Sequence, residues 1–270
     1  MKKLNVTTAL IPILLLTLVM PSAFAAVLPS GDEIAHNINA RDEGLSVSRT
    51  VLMEMTDKRG KQRIRKTRGF RKYFGDEKRT AIYYLTPKNI KDTAFMTYDY
   101  ADASVDDDQW LYLPAMRKVR RISASDRGDY FLGTDFTYEE IKQETRVSIE
   151  DYSRKTIGKE IIDGHSTFIA ESIPVDKKTA KELGHSKVTQ WIDAEIWMIR
   201  KAEFDSLRGK PLKTIYTREI KQVQEIWTAH LLEVKNHKTG HTTKFIFSEV
   251  DYQTPISDDL FTERALRRGL

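Results

Sequence analysis

The chain has 270 residues, of which 40% are hydrophobic and 31% charged, and a formal net charge of +5. That length, with no internal repeat, predicts one main domain, and so mild a charge excludes nucleic acid as the main partner. The absence of cysteine excludes disulfides, thiolate chemistry and a lipid anchor attached through a thiol.

The N-terminus carries Met1-Lys2-Lys3, an apolar run over Leu10–Met20 and the small-residue triplet Ala23-Phe24-Ala25. This pattern predicts a cleavable signal peptide over residues 1–25 and a mature domain over 26–270. The run falls short of the roughly 20 residues of a spanning helix. Loss of Lys2 and Lys3 lowers the net charge from +5 to +3.

Ser30 or Asp32 can cap a helix over 31–43 that turns Ile34 and Ile38 inward, with Gly44 at its end. Leu45, Val47, Val51, Met53 and Met55 alternate through a strand over 45–56. A turn at 57–60 leads into a return strand over 61–74, with Ile64, Phe70 and Phe74 on one face. Lys58–Gly75 holds nine Lys/Arg and no acid, whereas Asp99–Asp108 holds five Asp and no cation. Strands follow over 79–86, expected to be covered on both sides, and over 93–100, making a meander.

Next comes DQWLYLPAMRKVRRIS, from Asp108. Trp110 and Tyr112 share one strand face and Leu111 and Leu113 the other. Pro114 ends that strand. Arg117, Lys118, Arg120 and Arg121 demand a rim, an edge or acidic partners, since isolated buried charge is very costly. Thr134 or Asp135 can cap a short helix over 135–142. Strands over 147–162 and 166–175 flank the Asp163-Gly164 turn, and a helix over 176–183 ends at Gly184. Two strands over 188–207, one over 212–220, and a hairpin of 225–234 with 242–252 complete the β elements. A C-terminal helix over 258–267 docks on the sheet through Leu260, Phe261 and Leu266.

Hairpins in succession predict an α+β, mostly β fold: a curved antiparallel sheet of ten to twelve strands, an incomplete barrel closed on its concave side by short helices. Catalytic patterns are missing. There is no G-x-S-x-G, H-E-x-x-H or phosphate loop. His237 and His241 flank a turn, where they either splay into solvent or share a metal. Asp106-Asp107-Asp108 lacks the spacing of a calcium loop. No enzyme activity, catalytic residue, metal or cofactor is expected.

The expected site is apolar. Trp110, Tyr112, Phe131, Phe136, Tyr138, Trp191, Trp197, Trp227, Phe245 and Phe247 are each ordinary core candidates. Together they exceed what three short helices can cover, which predicts a dry cavity for hydrocarbon. Arg65, Arg68 and Arg71, with Arg117, Arg120 and Arg121, are candidates for anionic headgroups or a partner. The strand cations equally serve to protect an edge, and the second cluster equally pairs with Asp126, Asp129 or Asp135.

The string WLYLPAMRKVRRIS followed by SDRGDYFLGTDFTYEE resembles the signature of the LolA-like outer-membrane lipoprotein-sorting family. Residues 197–213 and 247–261 resemble its second half. The resemblance implies a periplasmic, unlipidated monomer that binds lipid or lipoprotein acyl chains and passes them between an inner-membrane transporter, of RND or ABC type, and the outer membrane. The other reading is a non-transporting sensor or adaptor that uses the same fold to bind a partner protein.

Overall fold

The computed structural model describes residues 27–102 and 105–270. The predicted signal peptide lies outside the described residues. The strands are β1 (Ser46–Thr56), β2 (Gln62–Phe74), β3 (Glu77–Thr86), β4 (Ala94–Asp99), β5 (Asp108–Leu113), β6 (Lys118–Arg121), β7 (Tyr152–Ile162), β8 (His165–Pro174), β9 (Lys187–Asp193), β10 (Ile199–Asp205), β11 (Pro211–Arg218), β12 (Lys221–Val223), β13 (Ile226–Thr228), β14 (Leu231–Asn236) and β15 (Thr242–Asp251). The helices are α1 (Gly31–Asn39), α2 (Tyr138–Gln143), α3 (Lys177–Leu183) and α4 (Glu263–Arg268).

Thirteen strands form one sheet in the order β6-β5-β4-β3-β2-β1-β15-β14-β11-β10-β9-β8-β7, and β12 and β13 pair separately. Short turns dictate this succession. In the first, Asp57 Oδ1 accepts from the amides of Arg59 at 2.8 Å and Lys61 at 3.0 Å, and Gly60 takes the left-handed φ of 81° the turn requires. Two meanders meet where β1 pairs antiparallel with β15. The ends, β6 and β7, do not meet, so the barrel is incomplete. The four-cation segment forms most of β6 and lies on an edge, as its charge requires.

Strand alternation divides the core. Val51, Met53 and Met55 of β1, Ile82 and Tyr84 of β3, Phe95 of β4 and Leu111 of β5 share the concave face with Phe131, Phe136 and Tyr138. Ala81, Tyr83, Ala94 and Met96 face the other way, against Ile256, Phe261 and Leu266. Strand β3 is therefore covered on both sides, as its unbroken apolar run predicts. The C-terminal segment covers the convex face, whereas the sequence suggested a stopper for the concave one. At the other end of the trough, α1 lays Ile34 and Ile38 on Phe168, Ala170 and Ile192.

Several boundaries differ from expectation; the strand expected over 147–162 starts at Tyr152, and the C-terminal helix is split into a 3-10 turn over Asp258–Phe261 and α4. Helix α1 stops at Asn39, with Ala40 as its C-cap, well before Gly44. Helix α2 is capped by Thr137, because Glu140 three residues on completes a capping box that neither Thr134 nor Asp135 can form. The strand expected over 225–234 is interrupted. Gln224 and Glu225 adopt φ of 50° and 69°, making a tight turn that pairs Val223 with Ile226.

Candidate functional site

The concave trough is occupied by a plug, residues 122–147, built from short turns and helix α2. Gly128 starts it against α3, where a Cβ would meet Glu182 O at 2.4 Å, so no larger residue fits. Leu132 and Gly133 turn the chain at φ of 46° and 77°. The Phe131 amide donates to Phe136 O at 2.7 Å, and Tyr130 bridges to Thr137. This loop aims three rings into the trough. Phe131 lies 5.1 Å from Phe95 and 5.5 Å from Tyr138, and Phe136 lies 4.4 Å from Phe245. The apolar space that the sequence reading assigned to a ligand is thus filled, at this point, by the protein's own rings.

Of the ten predicted aromatic site residues, Phe131, Phe136, Tyr138 and Phe245 join this one cluster, and Phe247 packs at its margin under the Arg49 guanidinium, 4.9 Å from the ring centre. The other five do not join it. Trp110 and Tyr112 pack on the convex face with the C-terminal segment. Trp191 pairs in register with Ile169 and Lys201, on the face opposite Ile192. Its Nε1 donates to Glu160 Oε2 at 2.5 Å. Trp197 stacks on Phe168, 5.5 Å away, beside α1. Trp227 sits on the small β12–β13 hairpin and is 40% exposed. Alternation reveals which residues share a face, but not which face is concave.

The basic strand divides in the same way. Arg65 points into the trough and donates to Leu132 O at 2.5 Å, holding the plug down. Arg68 lies outside, donating to Ser48 Oγ at 2.8 Å and pairing with Glu249 at 3.3 Å. Arg71 is only 3% exposed and meets Glu43 at 3.6 Å and Glu144 at 3.8 Å, so its role is internal neutralisation rather than docking. Arg117 is exposed, at the turn into β6, with φ of 49°. Arg120 pairs with Asp126 at 3.8 Å, while Arg121 pairs with Asp108, an acid preceding the cluster.

Sequence reasoning missed the polar clasp of the plug. Asp135 Oδ2 accepts from Thr243 Oγ1 at 2.7 Å, its Oδ1 accepts from Asn236 Nδ2 at 2.9 Å, and its amide donates to Thr243 Oγ1 at 3.0 Å. Lys213, 2% exposed, donates to Asp135 O at 3.0 Å and Glu140 Oε2 at 2.7 Å. One signal was available: a lysine among the apolar residues of β11 must find a carboxylate if buried. Below the clasp, Glu43 ties the plug to β2 through Thr145, Arg146, Tyr73 and Arg71. Burial would raise its pKa. The charges of Arg71 and Lys78 and the hydroxyls of Thr145 and Tyr73 outweigh that and hold it at about 2.

His185 shares the far wall with Tyr152, whose hydroxyl lies 2.9 Å from His185 Nε2. Burial pushes its pKa down to about 4, so it stays neutral as a packing group.

Comparison with known proteins fits this architecture. A family model described as an uncharacterized protein matches residues 76–268. No curated protein sequence matches the chain. A crystal structure from Vibrio parahaemolyticus, of a candidate outer membrane lipoprotein-sorting protein domain, is 31% identical with a TM-score of 0.79, covering 88% of this chain and 98% of that one. A DUF1329 family protein from Desulfovibrio piger is 26% identical with a TM-score of 0.80, covering 87% of this chain and 97% of that one. A LolA superfamily protein from Nitrosomonas europaea shares the fold, at 18% identity and a TM-score of 0.66, over 88% of this chain and 99% of that one. By sequence, coverage and fold together, the chain belongs to the LolA-like family of outer-membrane lipoprotein-sorting proteins.

Proposed function

We propose that the protein is a periplasmic carrier that takes a lipid or lipoprotein acyl chain into its trough in exchange for the plug. It passes the chain between an inner-membrane transporter, of RND or ABC type, and the outer membrane, and performs no catalysis. The observation that carries this reading is the plug itself. Three rings lie on an apolar floor, on a loop of short turns whose tethers are polar. Membership in a lipoprotein-sorting family supports the same reading.

Magnitudes make the exchange feasible. Exposing Ile122 together with the three aromatic side chains costs about 6–12 kcal/mol at roughly 1.5–3 kcal/mol each. Burying about 8–15 methylenes at roughly 0.8 kcal/mol each offsets this, which is most of one acyl chain. Near balance is what a carrier needs, because cargo must also leave. The broken polar tethers find water, which offsets part of the resistance they offer.

Native mass spectrometry of protein purified from a lysate that still contains its membranes should show bound lipid, and purified protein should take up a fluorescent fatty acid. Ligand-free protein in the first measurement together with no uptake in the second rejects the carrier reading.

A further inference from the structure

At the end of the trough where β2 turns into β3, a cavity of about 780 Å³ opens between plug and sheet. Its lining carries ten carboxylates and five Lys/Arg, in a chain whose net charge is +5. The five cations are already engaged. Lys78 pairs with Asp99 at 2.9 Å, Lys142 with Glu139 at 3.0 Å and also with Asp107, Arg127 with Asp151 at 2.9 Å, and Arg146 with Glu43 at 2.9 Å, while Arg41 donates to Thr145 O at 3.4 Å. Among the described residues, Asp42, Asp76, Asp106 and Glu150 form no ion pair and are exposed at the rim.

An independent feature lies deeper. Gln109, 5% exposed, and Glu139, 4% exposed, line the same cavity, and Gln109 Oε1 and Glu139 Oε2 receive no hydrogen bond. Thr80, Thr97 and Gln109 stand in register across β3, β4 and β5, and the hydroxyls of both threonines are unpaired as well. Buried acceptors without donors are rare, because each forfeits its hydration. Gln109 and Glu139 sit beneath a rim of uncommitted negative charge.

We propose that this cavity binds a linear organic polycation, a di- or triamine carrying primary ammonium groups. An ammonium offers three donors and no acceptor, which suits a wall of acceptors. A single metal ion suits it less: among the described residues no three His, Asp or Glu side chains converge on one point. The free carboxylates stand on four separate segments, before β1, between β2 and β3, between β4 and β5, and before β7. Charges strung around a rim match charges strung along a chain, with one terminal ammonium reaching Gln109.

Isothermal titration calorimetry of the purified protein at low salt, with spermidine and with magnesium chloride, tests this. Spermidine should bind one to one and at least about tenfold more tightly than magnesium. The Asp76→Asn/Asp106→Asn/Glu150→Gln variant, altered only at exposed positions, should keep its Tm and bind spermidine about tenfold more weakly, as expected for three exposed charges. Gln109→Leu should weaken binding similarly. Absence of spermidine binding, equal affinity for magnesium, or full affinity in the triple variant overturns the proposal.

Discussion

The two covers of β1–β6 lie on opposite faces of the same strands and are built differently. On the convex face, Phe261 and Leu266 are sealed among Ala81, Tyr83, Ala94 and Met96, with Phe74 edge-on to Phe261 at 5.6 Å. Tyr83 and Tyr98 add hydrogen bonds to the Leu260 and Phe261 carbonyls at 2.7 and 2.5 Å, and Lys72 donates to the Ile256 carbonyl at 3.0 Å and pairs with Asp258 at 2.7 Å. On the concave face the plug buries Ile122, Phe131, Phe136 and Tyr138 and is tethered as well by four polar groups, Arg65, Asp135, Lys213 and Glu43. Apolar burial has no substitute in water, whereas polar tethers do. On the proposed reading, one cover is part of the fold and the other can be replaced by something equally apolar.

The strongest test of that contrast is Phe261→Ala. It should cost about 3–5 kcal/mol of stability, as a large core ring does, measured by urea unfolding, and leave fatty-acid affinity unchanged. An altered affinity would mean that both covers belong to the site.

Acid should act on the plug. Glu43 ionises at about 2 in the folded protein, against 4.5 unfolded, so its contribution is complete above pH 4.5 and lost as the pH falls towards 2. The shift corresponds to roughly 3 kcal/mol. Chemical denaturation over that range should show the loss, and Glu43→Gln should flatten the profile.

Asp135→Ala leaves Thr243 Oγ1 without its acceptor and Asn236 Nδ2 with only the Tyr130 hydroxyl, a cost of about 1–3 kcal/mol. It should speed hydrogen exchange over residues 130–140 before the rest of the sheet, and tighten fatty-acid binding. The smallest effect belongs to the outer surface. Arg68→Gln removes the charge pair with the exposed Glu249 without placing two carboxylates together, and should change stability by less than about 1 kcal/mol. A large loss there would show that the convex face contributes more than solvent-screened charge.

Much of the architecture was legible because alternation and turn chemistry are local. Asp57–Gly60, the run through Ile82–Leu85, Pro114 and Gly184 punctuate the chain where the strands and helices begin or end. Cations at Arg120 and Arg121 announced an edge. What was not legible was curvature: nothing between Trp110 and Leu113 says which pair faces the hollow, so Trp110 and Tyr112 joined the wrong cluster. The filled trough was hidden for a related reason. Counting helices undercounts cover, and here cover comes from irregular turns around Phe131 and Phe136. The clasp escaped because its partners lie up to 108 residues apart in sequence, as Asp135 and Thr243 do, and no local pattern couples them.

A disulfide lock tests the exchange most directly, since the chain has no cysteine of its own. Asp135 N and Thr243 Oγ1 are 3.0 Å apart, so the Asp135→Cys/Thr243→Cys variant should oxidise to a form with the plug fixed in place. Exchange of plug for cargo requires no fatty-acid uptake by the oxidised form and full uptake after reduction. Uptake by the oxidised form equal to that of the unaltered protein would contradict it.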